Sequence, residues 1–480
     1  MKLDKLLDAI GMVDAELIER ARITPAKKSK KRHIRWTVPV AACLAVIIGL
    51  SVFFSLKGNT SPMILNTYAI AQAQYPETAK YPTSIGGLIY SEADYDKWRE
   101  DVAKRRSYMG QGENLDLFFK HTASEFLKNC ESDNLVYSPL NVYMALAMLA
   151  ETSEGETRQQ ILDLLGAKSI AALREQAHAI WNANYCDDGA VTSILGSSLW
   201  LDEDFDYNKE VVSTLAENYY ASVFRGKMGS KSYNKTYSEW LNSQTGGILK
   251  EYTEKAEMSP ETLLNLVTTI YFQAKWDGEF HKENNTTNAF HKATGDVNCE
   301  FMNQKITYGN YYWGEKFSAT SKSLKNSGSM WFILPDEGVT PQDLLKNEEA
   351  LSFMTDPLDW EQSRSLKVNL SVPKFDVSSR INLTNGLQRL GVTDCFDFTA
   401  SDFSPLVGNS QPAEISAAEH TARVIIDEEG VTAAAYTELR LAGAAAPPED
   451  EIDFVLDRPF IFVITGEDAL PLFIGVVNNP

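Results

Sequence analysis

Residues 427–459 run DEEGVTAAAYTELRLAGAAAPPEDEIDFVLDRP. In the first half, Val431, Ala433, Ala435, Thr437, Leu439 and Leu441 take every second position, with Thr432, Ala434, Tyr436, Glu438, Arg440 and Ala442 between them. One face is small or apolar and the other carries Glu, Arg and Tyr, the period-two pattern of a half-buried strand. A helix fits less well, because Val431, Thr437, Leu439 and Leu441 do not share a helical stripe. The second half, Ala442–Asp453, is small, Pro-containing and acidic, as an exposed loop is. A stretch patterned for a sheet yet joined to loop chemistry is expected to lie either in a sheet or out of it. Gly430 is expected to supply backbone freedom at the pivot. The inward face over Val431–Thr437 carries no large side chain, so little would obstruct passage between two strands. The plainer alternative is an ordinary edge strand followed by a loop.

Upstream of this stretch the pattern is dense back to Asn114. Leu115, Phe118, Phe119, Ala123, Phe126 and Leu127 mark an apolar helix face, and Met144–Leu149 and Ile161–Leu165 mark two more. Strand-like runs follow at Leu263–Phe272, Met330–Leu334, Leu366–Val372, Val424–Ile426, Phe460–Ile464 and Leu472–Val477. Helices dominate early and strands late, without the regular alternation of a parallel α/β sheet. The expectation is one α+β domain over residues 112–480, built on large mixed sheets.

Composition narrows the function. Lys and Arg number 45 against 65 Asp and Glu, a formal charge of −20. Residues 1–56 hold ten basic and five acidic residues, +5, so the remainder carries −25. Such a body repels phosphate backbones, and no nucleic-acid partner is expected. Five scattered cysteines exclude a disulfide scaffold and lack zinc-ligand spacing. There is no Gly-rich phosphate loop, nucleophile elbow or paired-His motif, so neither cofactor nor metal is expected. Ser138 and His420 are the one Ser/His pair worth weighing, with Asp427 or Glu428 as an imaginable orienting acid. The favoured reading of that pair is a buried polar cluster tying helix to sheet. The acidic triplet Asp427-Glu428-Glu429 is expected to be a solvated strand end.

Trp36–Leu56, WTVPVAACLAVIIGLSVFFSL, is 21 residues without a formal charge. At about 1.5 Å per residue it is long enough to span a bilayer core of roughly 30 Å. Six Lys/Arg fall within Lys27–Arg35 just before it, which by the positive-inside rule puts residues 1–35 in the cytoplasm and the rest outside. A cleaved signal peptide would have a shorter apolar stretch and a small-residue exit, whereas this one ends in Val52-Phe53-Phe54. An uncleaved, single-pass signal-anchor is therefore expected. Residues 2–20 place Leu3, Leu6, Leu7, Ile10, Val13 and Leu17 at helical spacing, a short amphipathic helix. Residues 57–111, with Pro62, Pro76, Pro82 and Gly86-Gly87, are expected to be an extracytoplasmic linker holding one helix.

From about Asn114 to Pro480 the chain resembles the serpin family. The motifs are Asn134-Leu135-Val136-Tyr137-Ser138-Pro139-Leu140-Asn141, Gly155-Glu156-Thr157, Leu266–Phe280 with Trp276, Phe301-Met302, and Ile333-Leu334-Pro335. Val372-Pro373-Lys374-Phe375, Leu390-Gly391-Val392, Asp402-Phe403-Ser404 and His420–Val424 follow in family order, as do Asp457-Arg458-Pro459-Phe460 and Phe473–Pro480. Glu428-Glu429-Gly430-Val431-Thr432-Ala433-Ala434-Ala435 resembles the family's hinge. The resemblance implies a serpin fold with about nine helices and an exposed reactive-centre loop.

It also implies a mechanism. A serine protease attacks the loop and forms an acyl-enzyme, and the freed loop inserts into the main sheet as an extra strand before deacylation. Neutral Val431 and the small Ala433–Ala435 match hinges of inhibitory members. Counting fourteen residues from Gly430, the family's spacing, puts the reactive bond at Ala444–Ala445, and the loop's extra length leaves Ala445 or Ala446 open. This suits a protease with a small apolar primary pocket, elastase-like or subtilisin-like, and a monomeric inhibitor. By parity Tyr436 would face outward on the inserted strand, where bulk costs little. Trp276 matches the family's breach, and Ser138, Asn141, Thr268 and His420 its shutter. Thr268 replaces an Asn and Asn141 a Ser of the family pattern. With the anchor, the implied protein is a bacterial envelope inhibitor, Gram-positive in character. The alternative is a non-inhibitory serpin-fold binding protein.

Overall fold

Seventeen strands in two sheets and thirteen α-helical segments make up the described residues of the computed structural model. These are residues 65–82, 92–112, 114–130, 132–204, 206–254, 256–407, 413–415, 418–431 and 448–480. Every described residue belongs to one compact unit, residues 62–480. The Trp36–Leu56 span, the amphipathic segment before it, Thr432–Ala435 and the Ala444–Ala445 bond therefore lie outside the described residues. Among those described, no helix is long and apolar enough to cross a membrane.

The chain begins with α1 (Leu65–Tyr68), β1 (Ala69–Ala71) and α2 (Glu92–Arg106). Next come α3 (Asp116–Leu127), β2 (Leu135–Tyr137), α4 (Pro139–Thr152), α5 (Gly155–Leu164), α6 (Ile170–Asn184), β3 (Cys186–Asp187) and β4 (Val191–Asp202). These lead into α7 (Lys209–Asn218), β5 (Ala221–Gly226), α8 (Lys231–Gln244), α9 (Lys250–Thr253) and β6 (Leu264–Lys275). β7 (Thr286–Lys292), β8 (Gly295–Trp313), β9 (Phe317–Ser323) and β10 (Ser329–Pro335) precede α10 (Pro341–Leu344) and α11 (Glu348–Thr355). β11 (Ser363–Pro373), β12 (Phe375–Asn382), α12 (Thr384–Arg389), α13 (Ser404–Val407), β13 (Glu419–Ile426) and β14 (Gly430–Val431) follow. β15 (Glu451–Val455), β16 (Phe460–Thr465) and β17 (Pro471–Val477) close the chain. Five of the thirteen helices are six residues or shorter. The count exceeds the nine or so that the family resemblance implies, and such single turns carry no hydrophobic period that would show them in the sequence.

The first sheet runs β1-β5-β4-β6-β14-β13-β12, with β3 on β4. The second runs β15-β11-β8-β9-β10-β16-β17-β2, with β7 on β8. Both are mixed, since β4–β5 and β11–β15 are parallel and their other pairs antiparallel. α4 lies in the core with all but one of its residues buried. It starts there because Pro139 takes the first helical position and Ser138 Oγ accepts the Asn141 N–H, satisfying an otherwise orphan donor. Each fully buried Leu or Met side chain on it contributes about 2 kcal/mol.

The stretch expected to be a linker is not a free tether where it is described. β1 adds an edge strand to β5, and α2 is a polar helix whose one buried residue is Val102. The sequence hides this because α2 has no apolar stripe and is held by ion pairs and hydrogen bonds instead.

Candidate functional site

β14, at the start of the segment that resembles a hinge, lies within the first sheet. Gly430 pairs with Lys275 and Val431 with Ala274 on β6, while Val431 pairs with Ile426 on β13. Val431 is 2% exposed. The reason for a glycine here differs from the expected one. Gly430 is not among the positive-φ residues, but a Cβ on it would sit 2.4 Å from the carbonyl oxygen of Ala274 and 2.8 Å from Lys275 Cα. Close approach to β6, and not backbone freedom, requires it.

Just before β14 the turn Asp427–Gly430 folds onto Trp276. Asp427 Oδ1 accepts the Glu429 N–H at 2.9 Å and the Gly430 N–H at 3.2 Å, a side-chain turn that directs the chain into the sheet. The Trp276 indole N–H donates to the Asp427 carbonyl at 2.8 Å, and its backbone N–H donates to the Glu429 carbonyl at 3.1 Å. Lys322 Nζ lies 4.7 Å from the Phe280 ring centroid and 5.6 Å from that of Trp276, and donates to the Gly278 carbonyl at 2.6 Å. Burial pushes the Lys322 ammonium down to about 8.

The acidic triplet is not a solvated strand end. Glu428 is buried, with Lys374 Nζ at 2.7 Å and Asn285 Nδ2 at 2.6 Å. Burial alone would raise its pKa, but the Lys374 and Asn285 hydrogen bonds outweigh it and hold the carboxyl below its ordinary value. Lys374 also reaches Glu300 at 3.0 Å. Residues 285, 300, 374 and 428 are far apart in sequence, and only the burial of an acid, itself not legible locally, would have called for a basic partner.

Lower in the sheet, Ser138 and His420 do meet, in an arrangement unlike that of a nucleophile and its base. The His420 Nε2 accepts the backbone N–H of Ser138 at 3.0 Å, while the Ser138 hydroxyl caps α4. The ring is buried beside Tyr137, and burial pushes its pKa down to about 4, so it is neutral. Thr268 Oγ1 reaches the carbonyl of Asn141 at 3.3 Å, not Ser138 or His420. Asn141 Nδ2 is buried without a partner. Asp427 and Glu428 are committed at the top of the sheet and do not orient His420.

The outward face expected to be free at Tyr436 is covered where the structure describes it. Thr269 on β6 is 5% exposed and shares a cavity with Tyr237, Leu241 and Thr245 of the α8 region.

The site is thus a mixed sheet with Gly430-Val431 lodged between β6 and β13, beside the buried Trp276 and the Glu428–Lys374 ion pair. The family model described as Serpin (serine protease inhibitor) matches residues 115–480. The chain belongs to the serpin family. It is 30% identical over 395 residues to Serpin-Z2A of Oryza sativa subsp. japonica, covering 72% of this chain and 92% of that protein. It is 27% identical over 379 residues to the leukocyte elastase inhibitor of Homo sapiens, covering 76% and 97%. The native-state crystal structure of the thermophilic serpin Tengpin superposes with a TM-score of 0.67 at 27% identity, covering 77% of this chain and 95% of that one.

Proposed function

We propose that this serpin is a single-use inhibitor of serine proteases with a small apolar primary pocket, cut at Ala444–Ala445. The observation that carries the reading is the register of β14. Val431 opposes Ala274, so a strand continuing that ladder would bring Ala433 opposite Phe272, Ala435 opposite Ile270, Thr437 opposite Thr268 and Leu441 opposite Leu264, where β6 begins. On the other side Val431 opposes Ile426, which would set Ala433 opposite Val424, Ala435 opposite Ala422 and Thr437 opposite His420. Directly paired residues share a face. Here that face is the buried one on both neighbours, since Ala274, Phe272, Ile270, Ala422, Val424 and Ile426 are buried. The alternation Val431 to Leu441 would therefore match β6 in length and in phase, and β13 in phase as far as Glu438, opposite Glu419 where β13 begins.

Cleavage would proceed by attack of the protease serine on the Ala444 carbonyl, with Ala445 leaving as a free amine. The freed strand would then exchange solvent for main-chain hydrogen bonds and a buried face. One relative is named for inhibition of leukocyte elastase, which agrees with an alanine at the cut. A single-pass anchor at Trp36–Leu56 would hold the inhibitor at the outer surface of a bacterial cell; retention in the membrane fraction after alkaline extraction tests that part. The inhibitory claim is tested by incubation with an elastase-like serine protease. The expected result is an SDS-stable complex and a released peptide beginning at Ala445. Clean cleavage without complex would identify a binding protein that has kept the fold and lost the trap.

A further inference from the structure

The family match starts at Leu115, yet the described residues before it are bonded to both sheets. On the first sheet, Ala69 and Ala71 extend β5, and the Ala73 N–H donates to Ser222 Oγ at 3.2 Å. The Tyr75 ring lies 5.5 Å from those of Trp181 and Tyr185, and its hydroxyl donates to Gln244 at 3.0 Å. The Tyr81 N–H donates to the Asp188 carbonyl at 2.7 Å, and the Trp98 indole donates to the Asp188 carboxylate at 3.1 Å. On the second sheet, Arg105 and Arg106 clasp Glu467, in the turn between β16 and β17, at 3.1 and 2.6 Å. Lys325, between β9 and β10, lies 5.3 Å from the Tyr81 ring centroid.

A strand lengthening from β14 must part β6, β4 and β5 from β13 and β12. The β12 side is fastened to the second sheet, where the Val136 N–H of β2 donates to Ser379 Oγ at 3.1 Å. The ties from Arg105 and Arg106 to Glu467 thus link the β5 side to the body from which it must move. The joint they close is polar. Asn184 Oδ1, Ser193 Oγ and Asn326 Nδ2 are buried without partners around a cavity of about 20 Å³ that Arg105 and Glu467 also line, room for one water. A joint of this kind can be remade without opening a dry core.

We propose that the described residues 69–82 and 92–106 act together as a strap that holds the first sheet narrow and restrains insertion of an uncut loop. The inference rests on the loop-insertion reading above. Because coupling is reciprocal, widening the sheet must loosen the strap by the factor with which the strap opposes widening.

The test uses the full-length protein, its Glu467→Gln variant and the Arg105→Ala/Arg106→Ala double variant, all intact at the loop. Spontaneous loss of inhibitory capacity on warming should be about tenfold faster in both variants. In the wild type, hydrogen exchange of the Ala69–Tyr81 amides should quicken about tenfold once the loop is nicked. This second readout needs no variant to fold. Unchanged exchange in a nicked protein that has gained thermal stability overturns the strap and leaves loop insertion standing. A nicked protein with no thermal gain overturns both.

Discussion

Lys374 Nζ stands 2.7 Å from the carboxylate of Glu428, a side chain only 5% exposed, two residues before the hinge glycine. The pair is asymmetric, because Lys374 has a second acid in Glu300 while, among the described residues, the Glu428 carboxylate has no second cation and keeps neutral donors such as Asn285. Lys374→Ala should therefore cost about 3 kcal/mol by leaving a buried charge, and Glu428→Gln about 1 kcal/mol. Urea unfolding of both variants checks the order, and equal losses would remove the claim that burial of Glu428 governs the site. The carboxyl titrates below its ordinary value, so its contribution is present above the unfolded glutamate pKa and is lost as pH falls through the lowered folded one.

His420 gives the sheet a second acid sensitivity in a different window. Its folded pKa of about 4 lies below the unfolded value near 6.5, so the unfolded chain binds the proton first as pH drops. Stability from this site is complete above about pH 6.5 and falls by about 3 kcal/mol on the way to pH 4. Protonation also removes the acceptor for the Ser138 N–H. In His420→Gln the slope of stability between those pH values should flatten, and a slope equal to the wild type's would assign the titration elsewhere.

β14 has no room for bulk or charge. Val431→Arg would force a guanidinium into a site 2% exposed, so the loop should still be cut while insertion fails. The number of inhibitor molecules consumed per protease should rise at least about tenfold, with loss of the SDS-stable band. Gly430→Ala should lower thermal stability by about 2 kcal/mol, because its Cβ would meet the Ala274 carbonyl at 2.4 Å. A neutral result for either variant would mean that β14 does not initiate the inserted strand.

Tyr436 would sit opposite Thr269 in the extended ladder, on the face that α8 covers. Its ring should slow insertion by requiring α8 to lift. Tyr436→Ala is expected to accelerate trapping several-fold and to lower the consumption of inhibitor toward about one per protease. Slower trapping in that variant would show that the ring packs favourably instead.

Most of the core strands were legible because their signal is local. Phe460–Ile464 and Leu472–Val477 fall almost residue for residue on β16 and β17. β4 escaped notice because it is buried on both faces and its Ser and Gly residues break any alternation. The 19-residue β8 escaped for the opposite reason, with polar residues on much of an exposed surface. Within the site, Trp276, Gly430 and Val431 lie in local motifs, whereas the Ser138–His420 contact, 282 positions apart, is reached only through the family resemblance. The Glu428–Lys374–Asn285 cluster joins residues 54 to 143 positions apart, and the cover over Thr269 comes from Tyr237, Leu241 and Thr245 on another element, so no local pattern contains them, nor the orphan amide of Asn141.

The central claim is that the segment after Gly430 completes the first sheet once the loop is cut. Calorimetry of the intact protein and of the same protein nicked after Ala444, with both fragments retained, tests it most directly. The account predicts that the nicked form melts tens of degrees higher and that its Ala433–Thr437 amides become protected from exchange. A nicked form that melts at or below the intact temperature, with those amides exchanging freely, would contradict it.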